Sequence, residues 1–222
     1  MCRYPSRSFV PKICYVGDDG GVKRSTAVRH LVEVAEEASD RLRFRDTPIG
    51  WPLQELWAAG SFVEPGESGE GGAVVLLVDV PPAELSWLRL HPAGEYVGEV
   101  LRLGKRPASW WYRPAGLPAW SVEHRRVVRF WTAAGGLEER VIDGLRRGDL
   151  DGVDVVEPDE DQLMTELREE LAMAREHLRT MLDCYWDREW RRDHRPPEDH
   201  LWRAAEAVSS LEQAVHGADA SH

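Results

Sequence analysis

Six consecutive apolar residues, Ala73 to Val78 (AVVLLV), constrain this chain more than any other stretch. The run is too short for an ordinary helix, and its valines and leucines suit an extended backbone. It shows no polar alternation, so it reads as a strand buried on both faces, which needs neighbouring strands and cover on two sides. Asp79 ends the run, and Pro81-Pro82 cannot continue a ladder. Upstream, Leu56 to Ala59 is apolar and meets Gly60-Ser61, where the missing Cβ permits a tight turn. Glu64 to Gly72, rich in Gly and Glu, reads as a linker. The order is strand, Gly-Ser turn, loop, central strand.

The flanks supply the cover. Ser25 or Thr26 can cap a first helix in which Val28, Leu31, Val32, Ala35, Ala38 and Leu42 share a face. Pro82 suits the first turn of a short helix reaching about Leu90, and Pro92 begins another, with Tyr96, Val97, Val100, Leu101 and Leu103 turned inward. Pro107, Pro114 and Pro118 keep the aromatic stretch around Trp110, Trp111, Tyr112 and Trp120 extended. Val122 to Trp131 predicts a strand, with Val122, His124, Val128 and Phe130 on one face and Val127 and Trp131 on the other. Leu137, Val141, Ile142 and Leu145 predict a short helix stopped by Gly148, and Val153 to Val156 an edge strand. Asp159 and Gln162 form a capping-box pair opening a long helix with a seam from Leu163 to Tyr185, fading by Arg192. A second helix, Glu198 to His216, completes an antiparallel hairpin. The expected fold class is α+β: a small mixed sheet with flanking helices, followed by a C-terminal helical hairpin. Residues 1–21 read as a disordered extension with the native start near Val22, residues 22–157 as the α+β domain, and 158–217 as the hairpin.

The strand, Gly60-Ser61 turn and following apolar strand resemble the core of the nucleotidyltransferase fold. In that family a strand ends in Gly-Ser, and the next opens with two metal-binding Asp residues one apart. Aligning Leu76-Leu77-Val78 with the family's apolar run puts Ala73 and Val75 where the carboxylates belong. Mg²⁺ needs oxygen ligands, and neither side chain supplies one. The resemblance therefore implies a nucleotidyltransferase-like domain without its metal site. The chain is also similar to an uncharacterised bacterial family with a Trp-rich middle and a helical tail.

Composition narrows the function further. Net charge is −11, which argues against a nonspecific polyanion binder, so a nucleic acid partner is not expected. No apolar run approaches the ~20 residues needed to cross a bilayer, so no membrane partner is expected. Cys2, Cys14 and Cys184 are odd in number and form no CxxC, which fits a reduced cytoplasm. Asp193, His194, Glu198, Asp199 and His200 have metal-ligand chemistry but lie beside Pro196-Pro197, where a solvated loop is expected; no metal or cofactor is predicted. Ten Trp residues leave room for a binding surface. The candidate cleft is lined by Trp110, Trp111, Tyr112 and Trp120, with Gly60, Ser61 and Asp79 at its floor and His124 and Arg126 as polar contacts. The expected function is a noncatalytic protein binding a small molecule or protein partner, with homodimerisation through the C-terminal helices. The alternatives are an enzyme with an atypical site near Ser61, Asp79 and His124, or a toxin–antitoxin component.

Overall fold

The apolar run forms β2 (Gly72–Val78), and each of its residues is buried. Its hydrogen-bonding edges are filled by β1 (Leu53–Gly60), antiparallel, and β3 (Ser109–Pro114), parallel. On the far side of β1 lies β4 (Val127–Thr132), antiparallel to it. β4 in turn pairs with β5 (Gly136–Leu137) at one end and β6 (Val155–Val156) at the other. The result is an open, mixed, six-stranded sheet. This computed structural model describes residues 24–47, 50–64, 72–85, 87, 89–106, 108–121 and 124–219. The expected N-terminal extension and most of the Gly/Glu linker lie outside them.

The alternation of β2 divides the core in two. Val74, Leu76 and Val78 face one apolar cluster, and Ala73, Val75 and Leu77 face the other. The first face is covered by α1 (Arg24–Arg41), α2 (Pro92–Val100) and α3 (Glu139–Arg147), through Val28, Leu31, Val97, Ile142 and Leu145. The second is covered by α4 (Glu160–Cys184) and α6 (Pro197–Asp219), through Leu163, Leu167, Leu171, Ala207 and Leu211. The C-terminal hairpin is thus the third layer of an α/β/α sandwich. Its first helix opens with the expected capping box: Gln162 N donates to Asp159 Oδ1 at 2.8 Å, and Asp159 N to Gln162 Oε1 at 3.1 Å.

α2 reaches the sheet closely because of its glycines. A Cβ at Gly98 would lie 2.1 Å from Cη2 of Trp110, and one at Gly94 would lie 2.3 Å from the Tyr112 ring. The two aromatic side chains that β3 turns to this face, Trp110 and Tyr112, therefore pack against the helix, one at each glycine.

Four expectations are corrected. α1 already includes Arg24, so Ser25 and Thr26 lie inside it rather than capping it. Residues 82–85 form turns, not a helix. Val122, where the next strand is expected to start, lies outside the described residues; the strand begins at Val127, and its two-fold pattern holds for Val127 against Val128 and Phe130 but breaks at Trp131, which joins the first core. The cause is a β-bulge. Leu56 pairs with Trp131 and Trp57 with Arg129, leaving Phe130 as an extra residue, so two consecutive aromatics turn to one face. The buried Trp131 indole is satisfied by Ser39 Oγ at 2.8 Å. Finally, the long C-terminal helix stops at Cys184. Asp187 accepts hydrogen bonds from the backbone N–H groups of Glu189 and Trp190 and starts a separate short helix, α5 (Arg188–Asp193).

Candidate functional site

The nine residues of the expected cleft do not share one place. Gly60 turns at φ +60°, and Ser61 follows it, exposed, at one end of the β1–β2 pair. Asp79 is exposed at the opposite end, its N–H donating to Pro52 O at 2.7 Å. At ~3.3 Å per residue the strands separate them by about 20 Å. Trp110 and Tyr112 lie on the first face and Trp111 on the second, as the pleat of β3 requires. Trp111 stacks on His124 with ring centroids 5.0 Å apart, and Trp120 is buried in the same layer. Arg126 lies 3.9 Å from Glu157. The aromatic residues serve the two cores.

A second set of polar residues does converge. Beyond the β3 edge the two helical layers meet, and between them lies a pocket of about 320 Å³. The approach to α2 contributes Arg89 and His91, α4 contributes His177, and the stretch joining α5 to α6 contributes His194 and Arg195, with His200 from the first turns of α6. Local structure fixes each part. His91 caps α2, its Nδ1 accepting from Ala93 N at 3.2 Å, while its own N–H donates to Tyr112 Oη at 2.8 Å. Pro92 occupies the first helical position, where a missing N–H costs nothing. His194 stacks on Trp190 at 4.5 Å and meets His200 edge-on at 5.1 Å.

The electrostatics of this seam are uneven. Asp193 pairs with Arg192 at 3.2 Å, and Glu95 feels the charge of Arg203. Arg89 and Arg195 form no carboxylate ion pair among the described residues; Arg89 instead donates to Ala83 O at 3.1 Å. Burial pushes the His177 imidazole down to about 4, aided by Arg89, His200 and His194. His200 is depressed by burial, then by His194, Arg203 and Arg89, against the opposing charge of Asp199. His91 is depressed by burial and then by Arg89, with Glu84 working the other way from 3.7 Å. Glu95 is raised, chiefly by burial. At neutral pH the pocket thus presents neutral His177 beside guanidinium groups, a setting in which an incoming anion would draw protons onto the rings. Among the described residues no three His, Cys, Asp or Glu side chains converge as metal ligands. Of the residues weighed as metal ligands, His194 and His200 line the pocket with Asp193, whereas Glu198 points to the neighbouring groove.

This pocket escaped the sequence reading because it joins residues 89–91, 177 and 193–200. The local signals were the cluster of Asp193, His194 and His200, and His91-Pro92, a capping residue followed by a proline at a helix start.

A second polar centre locks α4 to the sheet. Arg113, 3% exposed at the end of β3, places Nη2 2.7 Å from Glu170 Oε1 and 3.9 Å from Glu166 Oε1. Its Nε donates to Pro118 O at 2.5 Å, and its guanidinium lies 5.9 Å from the centre of the Trp87 ring. Glu166 is raised by burial and then by Glu170, with Arg113 opposing.

The family model that matches residues 22–217 is described as a domain of unknown function (DUF7711). No curated protein and no solved structure matches the chain. No helix among the described residues is long and apolar enough to cross a membrane.

Proposed function

The chain belongs to the DUF7711 family, and for it we propose a noncatalytic role: binding a small anion, a phosphate or carboxylate group, in the seam pocket. One observation carries the reading. Four histidines and two arginines, drawn from three separate parts of the chain, face a common cavity that also holds Glu95 and Asp193, of which Asp193 is paired with Arg192. Guanidinium groups suit bidentate oxyanions, and the start of α2 adds the positive end of its dipole.

The nucleotidyltransferase-like part of the proposal rests on the strand order. β1 ends in Gly60-Ser61, runs antiparallel to β2, and β2 is followed through α2 by a parallel β3. Ala73 and Val75, at the positions of the absent carboxylates, have no exposed surface and sit in the layer covered by α4 and α6. The hairpin covers both side chains, which supports a binder over a transferase.

Titration calorimetry with inorganic phosphate tests the proposal. We expect millimolar or tighter binding with proton uptake at pH 6 to 7.5, seen as a heat that depends on buffer ionisation. Arg89→Met should weaken it about tenfold, the loss of one charge-assisted contact. Absence of saturation with both phosphate and citrate, or an unchanged affinity in Arg89→Met, overturns it.

A further inference from the structure

The seam pocket continues past Arg195. That residue also lines an open groove of about 1130 Å³, together with Trp186, Arg188, Arg191 and Arg192. Among the described residues that line it, Glu189 and Glu198 oppose these four arginines, and Asp193 does so from beside it, on a chain whose net charge is −11. Arg188 and Arg195 form no ion pair among the described residues, while Arg192 is held by Asp193 and Arg191 reaches Glu198 at 3.7 Å. The lining of the groove itself thus has an excess of arginine, although Asp187, Asp193 and Asp199 stand beside it in the chain, where α4 turns through α5 into α6.

The same corner carries a ladder of rings. Trp186 meets Tyr185 at 5.1 Å, Tyr185 meets Trp190 at 6.3 Å, Trp190 stacks on His194 at 4.5 Å, and His194 meets His200 at 5.1 Å. The inner end of the ladder lines the seam pocket. The outer end is Trp186, 79% exposed, with the Arg191 guanidinium 5.7 Å from its ring centre. An indole this open, backed by a cation, makes a stacking platform rather than a core residue.

We propose that this groove is a binding site for the end of a single-stranded nucleic acid, whose terminal phosphate sits in the seam pocket and whose next bases and phosphates run past Arg195 onto Trp186. The proposal rests on the anion reading of the seam pocket. Two observations favour this ligand over an acidic peptide. A stacking platform accepts any base, because each has a flat π face. A terminal phosphate carries close to two charges, with a second pKa near 6, and so suits a pocket that supplies both guanidinium groups and imidazoles able to take up a proton; a side-chain carboxylate brings one charge. The remaining acidic surface limits the site to a few nucleotides, so duplexes and long polyanions gain nothing from it.

The test uses the full chain and a 3′-labelled, 5′-phosphorylated deoxythymidine tetranucleotide, read by anisotropy, with inorganic phosphate and a hexaglutamate peptide as competitors. The tetranucleotide should bind at least tenfold more tightly than phosphate and lose about tenfold without its 5′-phosphate. Trp186→Ala should lose about tenfold, the value of one base stack. Arg188→Ala should lower the salt slope by roughly 0.7. Both replaced residues are exposed, and circular dichroism melts confirm that the variants fold. A tetranucleotide that binds no better than phosphate, or equally well to Trp186→Ala, overturns this proposal and leaves the anion site standing. Hexaglutamate displacing it at equal concentration overturns it in favour of an acidic protein partner. If phosphate and tetranucleotide both fail to bind, the anion reading itself has failed.

Discussion

Arg113 should be far less replaceable than its partner Glu170. The three-residue centre carries one positive and two negative charges, with Arg113 and Glu170 both 3% exposed and Glu166 more open. Replacing Arg113 by Leu leaves two carboxylates facing each other with no cation and no aligned hydrogen-bond donor. Replacing Glu170 by Leu leaves Arg113 with Glu166 at 3.9 Å and with the Pro118 carbonyl. Removing one member of a buried pair costs about 3–5 kcal/mol when the other is stranded. We expect that full figure for Arg113→Leu and about 1–2 kcal/mol for Glu170→Leu, where a second carboxylate stands ready. The assay is urea unfolding followed by Trp fluorescence at pH 7. With m of about 2 kcal/mol/M, the midpoint should fall by about 2 M for Arg113→Leu and by under 1 M for Glu170→Leu. The pH dependence supplies a second check. Carboxylates left without their cation have a raised folded-state pKa, so folding favours their protonated form. The Arg113→Leu deficit should therefore shrink as pH falls from 7 towards the ordinary carboxylate range and widen as pH rises again. A Glu170→Leu variant less stable than Arg113→Leu, or an Arg113→Leu deficit indifferent to pH, would refute the reasoning.

Two further outcomes follow from the packing. Gly98→Ala raises helix propensity by about 1 kcal/mol, yet should destabilise the protein by about 1–3 kcal/mol, because the new methyl falls on the Trp110 ring; a thermal melt checks the sign, and Gly98→Ala with Trp110→Leu should recover most of the loss. His177, depressed to about 4 from an ordinary value of 6.5, binds fewer protons when folded than when unfolded across that window. Its contribution is intact above pH 6.5 and declines as pH falls towards 4. Solvent screening of the partly open ring brings the full shift down to about 1–2 kcal/mol, so His177→Gln should flatten the stability profile between pH 6.5 and 4 by that amount.

The sequence revealed features whose causes are local. The run Ala73 to Val78 needed only its own composition to read as a two-sided strand, and Asp159 with Gln162 only three residues to read as a helix start. Gly148 ended α3 in the left-handed region, φ +73°, as its place after Arg146-Arg147 implied. Features that depend on a partner strand were not legible. Nothing near Phe130 announces a bulge, because the extra residue exists only relative to β1. The break at Tyr185 to Asp187 was hidden by the continuing apolar spacing, although Asp187 was a capping residue in plain view. The seam pocket was hidden as a whole: His194 and His200 stood out as a local cluster, but His91 lies 109 residues before His200 and single histidines carry no pattern.

The order in which the layers arise along the chain has a consequence for synthesis. Val75 and Leu77 are made early, but Leu163, Leu171 and Leu211, which cover them, are made 86 to 134 residues after Leu77. At ~5–20 residues per second the interval is on the order of ten seconds. Throughout it the nascent polypeptide displays a bare hydrocarbon surface beside Trp57 and Trp111, an invitation to holdase chaperones and to aggregation whenever translation halts before α6.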